Sequence, residues 1–235
     1  MKQKIFRFIF VLSLITFNGQ NFFSQTFYRI KTDVTIKKKN FDGTFSLTKG
    51  TVYYDRHQNM LIYDLWFPEK EKLIMDKAMT YHIRGGKLIQ TFQNPTPPEV
   101  SIFSLILKNS IQYYGLENSD YQLKDIEEDN GLIISTWMPP EHLKSAVGKL
   151  MIANQNGKIK GIIFYSTDGE KIISKQFFEN YIKVNGLDIP TKMVQFFYDK
   201  TGKESLQTTE FKNIVIDEKA NDHLYRFPLE KYINN

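Results

Sequence analysis

The chain has 235 residues, 41% of them apolar, 14% aromatic and 24% charged, with no cysteine and a formal net charge of +5. That length allows one large domain or two at most, and that apolar content excludes a disordered chain, while the missing cysteine excludes disulfides, thiolate metal sites, iron–sulfur clusters and a cysteine nucleophile. Alanine occurs only at Ala78, Ala146, Ala153 and Ala220 against 19 Phe, 13 Tyr and 2 Trp, a balance that disfavours a mainly helical protein and suits pleated strands.

Residues 1–25 read as a secretory signal peptide. Lys2, Lys4 and Arg7 make a positive start, and Phe8 to Phe17 is an apolar run too short to span a bilayer as a helix. Cleavage near Ser24 or Gln25 removes those three cations, so a mature charge of +2 remains from +5. Nucleic-acid binding then loses its electrostatic motive, and an exported chain without cysteine suits a bacterial envelope. Residues 26–235 are expected to form a single domain.

The mature chain reads as strand after strand. Strands are expected at 26–39, 44–56, 59–67, 72–75, 79–84 and 87–92, with Arg84-Gly85-Gly86-Lys87 as a hairpin turn. Pro95, Pro97 and Pro98 then stop the sheet. From Glu99 to Tyr114 the period changes: Val100, Phe103, Leu107, Ile111 and Tyr114 recur at spacings of three and four, which predicts one continuous apolar helix ended by Gly115. Strands resume at 121–127, 132–138, 149–154, 158–165, 171–184, 189–198 and 204–216, turned at Asn156-Gly157, Asp168-Gly169, Asn185-Gly186 and Thr201-Gly202. So long an antiparallel sheet should curl, with the inserted helix against its concave face. Several strands are apolar on both sides: Met60, Ile62 and Trp66 alternate with Leu61, Tyr63, Leu65 and Phe67. Either a central strand is buried on both faces, or the curled wall lines an apolar cavity.

Chemistry-bearing motifs are few. His57, His82, His142 and His223 stand too far apart for a helical metal pair, so neither metal nor cofactor is expected. There is no phosphate loop and no G-x-S-x-G elbow. Ser46-Leu47-Thr48-Lys49 lies in a strand pattern with no companion motif, Glu127-Glu128-Asp129 is a solvated turn, and Lys37-Lys38-Lys39 is a charged strand end. No catalytic set is expected, and binding is favoured over catalysis.

Gly50-Thr51-Val52-Tyr53-Tyr54-Asp55-Arg56 runs into Met60-Leu61-Ile62-Tyr63, Pro68 and Lys72-Leu73-Ile74-Met75-Asp76; later come Gly157-Lys158-Ile159, Thr167-Asp168-Gly169, Phe177-Phe178-Glu179-Asn180-Tyr181, Ile189-Pro190 and Tyr225-Arg226-Phe227-Pro228. This order, over most of residues 27–228, resembles the LolA-like family of periplasmic lipoprotein carriers. The resemblance implies an unclosed half β-barrel lidded by helix, whose apolar cavity shields acyl chains in transit between membranes. It also implies that Arg56, aligned with the family's arginine, latches the lid. His57 stands where the family has proline, Lys77 where Asp-Gly is usual, and no amphipathic helix precedes the first strand.

The expectation is therefore a monomeric periplasmic carrier of lipoprotein or lipid acyl chains, working toward the outer membrane between an inner-membrane donor and an outer-membrane acceptor. Met60, Ile62, Trp66 and Trp137 are the expected wall, Phe103, Leu107 and Ile111 the plug, and Arg56 the latch. The rival from another class is an envelope sensor or protein-interaction module with a vestigial cavity. A third, an enzyme, would need polar groups such as Asp64 or His82 turned inward.

Overall fold

The computed structural model describes residues 26–94 and 97–233; the expected signal at 1–25 lies outside them. Six strands come first: β1 Arg29–Lys39, β2 Phe45–Asp55, β3 Met60–Phe67, β4 Glu71–Asp76, β5 Met79–Arg84 and β6 Lys87–Gln93. A helical stretch follows, with single turns at Pro98–Val100, Ile111–Tyr113 and Leu116–Asn118 around one short helix, α1, Ile102–Leu107. Seven strands complete the sheet: β7 Gln122–Asp129, β8 Leu132–Met138, β9 Leu150–Gln155, β10 Lys158–Tyr165, β11 Ile172–Val184, β12 Leu187–Tyr198 and β13 Glu204–Ile216. The chain ends through a turn at Asp222–Leu224 and a last helix, α2, Glu230–Ile233.

All thirteen strands join one antiparallel sheet in the order β6-β5-β4-β3-β2-β1-β13-β12-β11-β10-β9-β8-β7. β1 pairs with β13, so the two halves of the chain meet mid-sheet, while among the described residues β6 and β7 are the unpaired edges and the barrel stays open. The hairpins follow the turn residues: Asn130-Gly131, Asn156-Gly157 and Asn185-Gly186 hold positive φ at both central positions, as tight turns between right-twisted strands require. Gly50 has a different task. A Cβ there would lie 2.6 Å from the Asp64 carbonyl oxygen, and glycine lets β3 shift register between Lys49 and Gly50.

The sheet carries an apolar cluster on each side. The inner one packs α1 and the turns beyond it against Ile30, Val34, Val52, Tyr54, Leu61, Ile152, Ile162, Phe178 and Phe211. The outer one places Tyr225 and Leu229 on Tyr53, Ile62, Ile74 and Ile83. Alternation sends Leu61 and Tyr63 of β3 inward and Met60 and Ile62 outward, so this strand is covered on both faces.

The expected single helix over 99–114 is broken. Asn109 (φ 53°) and Tyr114 (φ 55°) are left-handed, and each ends a turn in the same way. The Ser110 N–H donates to Leu105 O and the Asn109 N–H to Ile106 O; the pattern repeats with Gly115 to Ser110 and Tyr114 to Ile111. Asparagine tolerates that backbone, so the helix stops at Leu107 although the apolar spacing continues past it. Phe103, Leu107 and Ile111 are buried all the same. The segment after β13 has no strand or long helix pattern in the sequence, yet it forms the outer cover.

Candidate functional site

Ser101 caps α1: its Oγ accepts from the Ser104 N–H at 3.3 Å and its hydroxyl donates to Pro98 O at 2.6 Å. So fixed, α1 turns Phe103, Leu105, Ile106 and Leu107 into the inner cluster, where Phe103 meets Phe211 edge-on at 5.5 Å. Beyond it Tyr114 packs edge-on against Phe164 at 6.1 Å and near Phe178 at 6.4 Å, and burial pushes its hydroxyl pKa up.

The cover does not fill the curl. A cavity of about 520 Å³ remains between it and β9–β12. Its apolar lining comes from Leu105, Tyr114 and Leu116 above and from Leu150, Phe164 and Phe197 on the strands. Gln176 and Gln195 supply a polar floor, and Glu99, Val100 and Lys108 stand on the cover side. A smaller cavity of about 340 Å³ lies where the C-terminal end of α1 meets the first residues and the β11–β12 turn, lined by Phe27, Arg56, Leu107, Lys108, Asn185 and Leu187 among others.

The cover is fastened at its rim. The Asn59 amide donates to Glu99 Oε2 at 2.8 Å, joining the β2–β3 turn to the Pro98–Val100 turn, and Lys108 Nζ donates to Glu99 O at 3.1 Å. Burial and then the Arg56 charge lower the Lys108 pKa, with Glu99 opposing.

The sequence-picked residues divide between the two sides. Trp137, Phe103, Leu107 and Ile111 all join the inner cluster, and Trp137 Nε1–H donates to Ser135 Oγ at 2.9 Å. Leu107 lines the smaller cavity; Phe103, Ile111 and Trp137 line neither. Met60 and Ile62 lie on the outer side, beneath the C-terminal segment, and not on one wall with Trp137. Trp66 is 54% exposed, with Lys49 Nζ 5.9 Å from its ring centre. The reason is phase: β3 is apolar on both faces, and pairing of Leu61 with Tyr54 and Tyr63 with Val52 decides which face turns in. Arg56 lines the rim beside the end of α1, and its backbone N–H donates to Tyr28 O at 2.8 Å. Among the described residues its guanidinium makes no hydrogen bond to α1. Asp64 pairs with Lys72 at 2.5 Å and His82 with Glu71 at 2.7 Å; neither lines the larger cavity. Among the described residues no group of three or more His, Asp or Glu could hold a metal ion, and no helix is long and apolar enough to cross a membrane.

No family model and no curated protein matches the sequence. Solved structures do match the fold. A LolA superfamily protein from Nitrosomonas europaea superposes with a TM-score of 0.58 at 14% identity, covering 85% of this chain and 90% of that one. This fold is LolA-like. A DUF1329 family protein from Desulfovibrio piger superposes with a TM-score of 0.58 at 12% identity, covering 86% of this chain and 91% of the other. A domain from Vibrio parahaemolyticus described as outer membrane lipoprotein-sorting gives 0.57 at 10%, covering 85% and 89%.

Proposed function

We propose that this chain is an exported, monomeric periplasmic carrier whose residues 26–235 hold lipoprotein or lipid acyl chains for transfer toward the outer membrane. The observation that carries the reading is the cavity of about 520 Å³ between a segmented cover and a curled wall. Its volume falls in the range of small-molecule sites, and the surface it exposes is mainly apolar, although polar side chains share the lining. Each CH₂ taken from water contributes about 0.8 kcal/mol, so such a hollow holds an alkyl chain without any catalytic group. The lipoprotein-sorting description of one structural neighbour supports the reading. On this reading the donor and acceptor are membrane proteins facing the periplasm, Phe103, Leu107 and Ile111 belong to the moving plug, Trp137 reports its motion, and Arg56 steadies its rim. Met60 and Ile62, beneath the C-terminal segment, and the exposed Trp66 do not line the cavity and have no part in this reading.

Delipidated protein should bind a fluorescent fatty-acyl probe saturably, with one probe per chain. Val100 is half-exposed and lines the cavity, so Val100→Trp should fill it, cut affinity tenfold or more, and leave stability within about 0.5 kcal/mol. Absence of saturable binding to the wild-type protein would remove the carrier reading. One observation favours the alternative of a sensor or interaction module with a vestigial cavity: Phe103, Ile106 and Leu107 already fill much of the inner face. That alternative expects no probe binding and a protein partner retained from envelope extract.

A further inference from the structure

Gln176 and Gln195, in the floor of the larger cavity, belong to an ordered row of amides that Gln207 continues beyond it. Gln176 of β11 stands opposite Gln195 of β12, and Gln195 stands opposite Gln207 of β13. Gln207 Nε2 donates to Gln195 Oε1 at 3.0 Å, and Gln195 Nε2 donates to Gln176 Oε1 at 3.1 Å. The row therefore runs in one direction and ends at the Gln176 amino group. That group is 3.5 Å from Met193 Sδ, a weak acceptor, and has no other hydrogen-bond partner among the described residues. The reverse orientation would set an amide oxygen against the thioether sulfur, acceptor against acceptor, so the contact with Met193 selects the direction. Gln176 is 6% exposed, and both it and Gln195 line the cavity among Phe164, Phe197, Leu105 and Tyr114. A buried amino donor that meets only sulfur is a group left short of an acceptor, and each amide of the row polarises the next.

We infer that the Gln207–Gln195–Gln176 row presents a hydrogen-bond donor for a neutral carbonyl oxygen, and that the cavity takes acyl esters or amides in preference to bare hydrocarbon. The inference rests on the carrier reading and narrows its ligand class. A free carboxylate fits less well because the row brings no net charge. Lys108 and Lys175 both line the cavity, but the Lys108 ammonium is on the Glu99 carbonyl with the Glu99 carboxylate nearby, and the Lys175 ammonium lies 5.7 Å from the centre of the Tyr198 ring. Burying a carboxylate away from a dedicated cation is costly.

The test is displacement of the neutral dye N-phenyl-1-naphthylamine by n-decane, methyl nonanoate and nonanoic acid, in wild type and Gln176→Leu. The ratio of ester to alkane affinity should fall roughly 3- to 10-fold in the variant, the span of one neutral hydrogen bond. An unchanged ratio overturns the inference, as does a free acid that binds wild type more tightly than the ester. A readout that needs no variant is the carbonyl stretch of methyl nonanoate bound to wild type. It should lie below its frequency in hexane, and coincidence with hexane overturns the inference even where Gln176→Leu does not fold. Failure of the dye and of decane to bind wild type at all would remove the carrier reading and this inference together; dye and decane binding with an unchanged ratio would remove the inference alone.

Discussion

The two sides of the sheet solve the same problem differently. Each exposes apolar residues that a non-strand segment must cover. On the outer side the cover is the C-terminal segment, and it is packed and pinned. Tyr225 is wholly buried, lies edge-on to Tyr53 at 5.5 Å, donates to Glu218 Oε2 at 3.1 Å, and has the Arg29 guanidinium 4.9 Å from its ring centre. Arg29 also bonds Asp55 at 2.6 Å and pairs with Asp222, and Asp55 in turn accepts from the His57 and Gln58 N–H groups at 2.8 and 3.1 Å. On the inner side the rim carries, among the described residues, an exposed amide–carboxylate hydrogen bond from Asn59 to Glu99, and a cavity is left beneath the cover. The inner cover is thus held mainly by apolar packing of Phe103, Leu105, Ile106 and Leu107 beside a hollow, and the outer one by a buried aromatic tied into an ion-pair network.

The sharpest way to break this contrast is Tyr225→Ala. Losing a fully buried aromatic should cost about 3–5 kcal/mol in denaturant unfolding, while the folded fraction keeps its acyl-probe affinity. A cost below about 1 kcal/mol would show that the outer cover is not the firm one. The inner tie should be far weaker. Asn59→Gly, which keeps the left-handed backbone at φ 49° and removes the amide, should lower stability by only about 0.5–1.5 kcal/mol, the net contribution of one hydrogen bond, and raise the probe's release rate several-fold in stopped-flow measurements. Arg56→Leu should likewise keep capture and alter release; a rate equal to wild type would remove Arg56 as a latch and leave Asn59–Glu99 in that role.

The smallest effect concerns pH. The hydrogen bond from Arg29, and then its charge, hold the Asp222 carboxyl below the usual aspartate range. A carboxyl lowered in the folded state contributes stability that is complete above its unfolded pKa, about 4, and is lost as pH falls through the lower folded value. Proteolytic nicking of the C-terminal segment should therefore accelerate below about pH 4 in wild type. In Asp222→Asn that step should be absent and the nicking rate already raised at neutral pH. Identical pH profiles for the two proteins would detach Asp222 from the clasp.

Much of the fold was legible because its signals are local. Asn-Gly and Gly-Gly pairs place turns within a residue or two, and period-two runs between them give the strands of an antiparallel meander. The helix was half legible. Spacing at Phe103, Leu107 and Ile111 reported burial correctly, but burial is not continuity, and Asn109 was the local sign of the break. The cavity floor was less visible. Gln176 lies two residues from Phe178, and Gln195 two from Met193, in the inward phase of their strands; each reads alone as an ordinary polar residue, and only pairing across β11–β13 makes them a row.

By itself, then, the sequence determined a β-rich chain of hairpins with one apolar insertion after the sixth strand, since turn chemistry and side-chain periodicity act over a few residues. Tertiary structure decided which face of β3 turns inward, that residues 217–233 cover the other face, and that the inner cover leaves a hollow. Those outcomes depend on strand register and on which distant segment packs against each apolar surface, and a strand apolar on both faces carries no local information about either.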